Sequence, residues 1–167
     1  MQNVEPMTIY GYEKLQAEVK ELKEVKRPAV VKAIEEALEH GDLKENAEYH
    51  AAKEQQKNID NRLAELQEIL GNAQIVDPSE LTHSKVSFGS TVVMTDMESD
   101  EEVTYTIVGG AESNPNMGLI SFNSPLAKQL LGKKEGDEVE VRLPGGEKEF
   151  EIDEVKYQEI FFDCEQN

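Results

Sequence analysis

Two carboxylates, Asp42 and Glu45, stand three residues apart in the stretch GDLKENAEYH that runs from Gly41 to His50. That spacing admits two kinds of chemistry. As ionised acids the pair could offer oxygen ligands to a divalent cation. Magnesium demands near-octahedral oxygen coordination and keeps several waters, so two carboxylates alone make a poor site and the rest of the shell would have to come from a partner. As turn residues they could satisfy backbone amides instead. Gly41 suits the left-handed position that ends a helix, Asp42 suits the N-cap of the next one, and Glu45 could reach back as in a capping box. The readings are compatible, because a carboxylate has lone pairs enough to cap a helix and still accept a metal-bound water. A zinc site built from His40, His50 and the two acids is a third arrangement, but it lacks Cys and the spacing that puts two imidazoles on one helical face.

Asn46, His50, Lys53 and Lys57 follow at intervals of four, three and four, which places them on one face of a helix leading away from the turn. Such a face is either an ordinary solvated stripe or a phosphate contact. Its position beside the acids matters, since a site that hydrolyses a phosphodiester near a metal must also hold the strand. No Gly-rich phosphate loop, nucleophile elbow, CxxC pair or Ser, His and Asp set occurs. An autonomous enzyme is therefore hard to build from this chain.

The turn joins two helical patterns. From about Tyr12 to His40, apolar residues recur at Leu15, Val19, Leu22, Val30, Ala33, Ile34 and Ala37. Pro28 interrupts this run, because it lacks the amide hydrogen a helix interior needs, so a single kinked helix is expected there. Beyond the turn, Tyr49, Ala52, Gln56, Ile59, Leu63, Leu66, Leu70 and Ala73 alternate three and four apart, the seam of a coiled coil. Two such helices on a short turn run antiparallel as an αα-hairpin, a rod of about 45 Å for thirty residues. Alanines at 33, 37, 47, 51 and 52 would keep its end slender.

Around Val76 to Ser79 the pattern changes, giving expected boundaries of 1–75 for the hairpin, 76–80 for a linker and 81–167 for a second domain. Strand signals run over 90–95, 102–108, 117–122, 138–143 and 148–155, with a Pro144-Gly145-Gly146 turn between the last two. Within SPLAKQLLG, Ser124 suits an N-cap, Pro125 the first helical position and Gly132 the close of a short helix. The whole is expected to be a two-domain α+β protein, with an antiparallel sheet and one short helix in the second domain.

The 167 residues carry a formal charge of -18. Over residues 8–75 there are 10 basic against 14 acidic side chains, and over 76–167 there are 7 against 20. The second half therefore does not grip free nucleic acid. It either docks on a basic protein surface or carries a solvated acidic one. No run of about 18 apolar residues could span a membrane, and MQNVEPMTIYGYEKL has no secretory character, so a cytoplasmic protein is expected. The lone Cys164 lacks a nearby His or Lys and is taken as incidental, and His83 is assigned no role.

GDLKENAEYHAAKEQQ, the leucine seam after it, ISFNSPLAKQLLGKKEGDEVEV and PGGEKEFEI together resemble the bacterial transcript-cleavage factors of the GreA/GreB family, GreA type, from Pro6 to Val155. The resemblance implies an N-terminal coiled coil and an FKBP-like second domain without prolyl isomerase activity. It implies a monomer that inserts the coiled coil into the secondary channel of bacterial RNA polymerase while the second domain holds the channel rim. Asp42 and Glu45 would then help bind a magnesium ion shared with the polymerase, none being held stably by the free protein. They would orient the water that cuts the 3′ end of backtracked RNA. Asn46, Tyr49 and Lys53 fall in the matching motif and would position the RNA end or nearby polymerase loops, with His50 and Lys57 on the same face. Leu38 stands where some relatives carry a basic residue, which leaves the RNA patch resting on Lys53 and Lys57. Two other readings stay open, a channel-binding inhibitor that does not promote cleavage and a peptidyl-prolyl isomerase. The absence of Trp weakens the isomerase.

Overall fold

The structure is a computed structural model that describes residues 4–41 and 46–162. Asp42, Glu45 and Cys164 lie outside the described residues. The chain divides into two compact units, one built from Tyr12–Ala73 and the other from Glu5–Gly11 with the chain from Gln74 onward.

In the first unit, α1 (Ile9–Glu21) passes through a π-helical turn (Leu22–Lys26) into α2 (Arg27–Leu38), and α3 (Ala47–Gly71) packs against this path. The buried residues Leu15, Leu22, Val30 and Ala37 explain the π turn. Their spacing is seven, eight and seven, one residue too many for an unbroken heptad seam. The π turn absorbs that residue, with the Arg27 amide donating to the Leu22 carbonyl five places back. Pro28, which has no hydrogen to donate, then starts the next α-helical turn. The interruption expected at Pro28 thus takes the form of one inserted residue immediately before it.

Across the seam, Ala52, Ile59, Leu63 and Leu66 of α3 are buried. Each fully buried Ile or Leu contributes about 1.5–3 kcal/mol. Ala33, by contrast, is exposed. Arg62 forks onto Glu18 of α1 through Nε at 2.7 Å and Nη2 at 3.1 Å, and Arg27 meets Asp60 at 3.4 Å. Hydrogen bonding to Arg62 holds the Glu18 carboxyl below the usual range and raises the guanidinium in turn.

The second unit contains a five-stranded sheet in the order β5-β4-β3-β7-β6, formed by β3 (Thr91–Asp96), β4 (Glu102–Val108), β5 (Leu119–Ser121), β6 (Glu138–Leu143) and β7 (Gly146–Lys156). Its strand pairs are antiparallel except β4 with β5, which run parallel. The ten residues between β4 and β5 carry the chain back through a 3-10 turn (Pro115–Met117) and a left-handed Gly118 at φ 73°, instead of closing a hairpin. The helix α4 (Pro125–Leu130) is capped by the Ser124 hydroxyl, which accepts from the Ala127 amide at 3.2 Å, and Gly132 follows at φ 85°. Its Leu126, Ala127 and Leu130 join Val92, Met94, Ile107, Val141, Phe150 and Ile152 in the core.

Two short strands, β1 (Glu5–Met7) and β2 (Ala73–Ile75), pair as a separate sheet. After β1 the Thr8 amide donates to Glu112 Oε1 at 3.0 Å, and Glu112 Oε2 accepts from the Gly109 amide at 2.9 Å. Glu112 is only 2% exposed, so this buried carboxylate pins the start of α1 to the loop after β4. His83 is half-buried and tied into the fold, Nε2 lying 2.7 Å from the Pro78 carbonyl and Nδ1 2.6 Å from Ser90 Oγ. No helix among the described residues is long and apolar enough to cross a membrane.

Candidate functional site

Both helices that flank residues 42–45 end in polar closures. At the end of α2 the Glu39 amide donates to the Glu36 carbonyl at 3.2 Å and the His40 amide to the Ala37 carbonyl at 3.1 Å. Gly41 has φ 130°, a backbone that a side chain would strain. On the far side, α3 begins at Ala47 with Asn46 as its N-cap, whose Oδ1 accepts from the Tyr49 amide at 3.0 Å. The same side chain donates through Nδ2 to the Ala37 carbonyl at 2.6 Å.

This corrects the expectation that Asp42 is the N-cap of the second helix, while Glu45 lies outside the described residues. The cap lies four residues further on, because Asn46 meets both the third amide of α3 and the Ala37 carbonyl at the end of α2, which also accepts from the His40 amide. Asp42 is therefore not the N-cap of α3. Sequence reasoning missed this role for Asn46 because two capping signals overlap, Asp42 with Glu45 and Asn46 with Tyr49. Asn ranks with Asp among N-caps, so local preference does not separate them.

The residues that share a helical face do come together. His50, Lys53 and Lys57 line an open groove along α3 with Gln56 and Asp60. Lys53 Nζ donates to Gln56 Oε1 at 3.4 Å, a long contact that leaves the ammonium exposed. Tyr49 is half-buried and its ring meets His50 edge-on at 5.6 Å, while Lys57 is exposed. Asn46 is half-buried and turned inward, which separates it from the lysines it shares a helical row with. Among the described residues no three of His, Cys, Asp and Glu gather as metal ligands. As residue types, Asp42 and Glu45 are hard oxygen donors.

Two family models match the chain, transcription elongation factor N-terminal over residues 5–75 and transcription elongation factor GreA/GreB C-terminal over residues 81–157. The chain belongs to the GreA/GreB family. It is 58% identical over 161 residues to the transcription elongation factor GreA of Helicobacter pylori strain Shi470, covering 96% of this chain and 98% of that one. It is 61% identical over 163 residues to the GreA of Nitratiruptor, covering 98% and 99%. Among solved structures it resembles the transcription factor Gfh1, at 29% identity over 93% of this chain and 99% of that one, with a TM-score of 0.45. The protein is thus an elongation factor by family, with a helical hairpin followed by a sheet-rich unit. Factors of this family act with RNA polymerase.

Proposed function

We propose that the chain rescues arrested transcription by placing Asp42 and Glu45 in the secondary channel of RNA polymerase, where they stimulate endonucleolytic cleavage of backtracked RNA. The observation that best supports this is at the hairpin end. The flanking helices are closed by Asn46 and by the amides of Glu39 and His40, so α3 does not need the two acids as its caps. In this reading their carboxylates serve a ligand outside the hairpin.

In this reading Asp42 and Glu45 hold a magnesium ion together with carboxylates of the polymerase, which supply the ligands that two acids lack. When bound, the ion supplies Lewis acidity for phosphodiester hydrolysis. The two carboxylates also accept hydrogen bonds from the attacking water and orient it. Lys53 and Lys57 offer cationic groups to the RNA phosphates beside them, and Tyr49 and His50 present ring edges to the RNA end or to polymerase loops. The acidic second unit, with 20 acids against 7 bases over residues 76–167, is suited to a basic rim on the polymerase and repels free RNA. The protein acts in trans on the polymerase and has no cleavage activity of its own.

A stalled, backtracked polymerase complex with magnesium should release short 3′ RNA fragments when the protein is added. RNA mixed with the protein alone should remain intact. Fragment release without polymerase, or none with it, would contradict the proposal.

A further inference from the structure

We propose that Asn46 is a positioning residue, whose amide ties the end of α2 to the start of α3 and so fixes the span across which Asp42 and Glu45 are presented. This rests on the function proposed above and assigns Asn46 a role other than direct contact with RNA or polymerase.

Three observations carry it. Both polar ends of the side chain are engaged inside the hairpin, Oδ1 with the Tyr49 amide at 3.0 Å and Nδ2 with the Ala37 carbonyl at 2.6 Å. The orientation of the amide follows from its partners, since the reverse would face donor to donor and acceptor to acceptor. Apolar packing is also thin at this end. The last buried seam residues are Ala37 and Ala52, at 2% and 6% exposure, while Leu38 is 47% exposed. Alanines bury little surface, so the hydrogen bond takes over where the seam runs out. Finally, the residue type fits the task. Asn offers an acceptor and a donor on one short planar group. Asp has only acceptors when ionised, and a Ser hydroxyl can cap the helix but is too short to reach the Ala37 carbonyl as well.

The consequence is geometric. The bond joins Ala37 and Asn46, nine positions apart in the chain, across the segment that contains both acids. Without it α3 keeps a cap, but the two helix ends can move apart. A reacting geometry loosened by about 1 Å costs up to roughly a hundredfold in rate.

The test uses Asn46→Ser and Asn46→Asp in the full-length protein and reads two quantities. In the free protein, backbone 15N order parameters at His40 and Gly41 should fall in both variants, while those from Gln56 to Leu66 stay unchanged. In the backtracked complex, the cleavage rate at saturating factor should fall about tenfold, with the half-saturating concentration held within about twofold. Asn46→Ser adds no charge, so a loss there is not a charge effect on magnesium. If the half-saturating concentration rises while the saturated rate is kept, Asn46 is a contact residue and the proposal is overturned. If Asn46→Ser matches wild type in both readings, Asn46 is a cap alone and the proposal is again overturned. Should wild type cut no RNA, the functional reading fails by itself. The order parameters then still decide the tie, lowered values upholding it and unchanged values removing it.

Discussion

The hairpin and the outer face of the β6–β7 ribbon are both acidic, yet they handle their charges in opposite ways. In the hairpin, Glu18 and Asp60 each face an arginine from the other helix. On the ribbon, Glu138 stands opposite Glu151 and Glu140 opposite Glu149, with Arg142 and Glu147 the one complementary pair in that row. Like charges directly across a ladder destabilise it. A side-chain hydrogen bond with Glu147, backed by the charges of Glu147 and Glu149, holds the Glu140 carboxyl above its usual range, whereas hydrogen bonding to Arg62 holds Glu18 below it. The comparison teaches that net charge says little about local stability. The hairpin spends its acids on alignment, and the ribbon keeps an acidic surface against its own repulsion.

The largest expected effect separates the units by their packing. Leu66 is wholly buried in the hairpin seam. Leu66→Ala should destabilise the hairpin by about 2–5 kcal/mol. Amide exchange should quicken throughout α3 and leave β3 and β7 protected. Equal losses in both units would break the contrast by showing that they unfold as one.

Gly11→Ala probes the start of α1, where a Cβ would collide with the Glu112 carboxylate. Because Glu112 is buried and held by the Thr8 and Gly109 amides, it has little room to yield, and a cost of about 1–3 kcal/mol is expected. Chemical denaturation followed at β1 and β4 amides would read it.

The ion pairs should matter less. Arg62→Ala removes the fork on Glu18, but both side chains are more than a third exposed, at 39% and 38%. Solvent screening limits the loss to under about 1 kcal/mol. Its pH dependence is sharper than its size. The folded-state pKa of Glu18 is depressed, so its contribution is present above the unfolded value near 4.5 and is lost as the pH falls through the folded one. In Arg62→Ala that acid-side loss of α1 and α3 protection should shrink.

The smallest effect has the opposite sign. Glu140 has a raised folded-state pKa, so protonation favours the folded ribbon. That stability is fully present below about 4.5 and is lost as the pH rises through the folded value. Mild acidification from neutral should therefore slow amide exchange in β6 and β7 before it weakens the hairpin, and Glu140→Gln should abolish the gain. A ribbon that loosens over that range would contradict the charge assignment.

Long, periodic elements were legible in the sequence. The leucine seam of α3, the strands of the sheet and the Ser124 cap all follow from spacing or capping preference. The seven-eight-seven spacing of Leu15, Leu22, Val30 and Ala37 also contained the π turn, although Pro28 drew attention to the wrong atom of the problem. What stayed hidden was short or shared. Three-residue strands such as β1 and β2 are too brief for a period, and their pairing joins residues about seventy apart. The cap at Asn46 was masked by the stronger-looking Asp42 and Glu45 pair. Its second bond, to the Ala37 carbonyl, depends on tertiary placement that no local pattern encodes.

The account turns on whether the two acids at the hairpin turn supply the chemistry. In a backtracked polymerase complex with magnesium, Asp42→Ala and Glu45→Ala should each lose nearly all release of 3′ RNA fragments, by roughly a hundredfold or more, while binding to the polymerase is largely kept. Fragment release at the wild-type rate from both variants would contradict it.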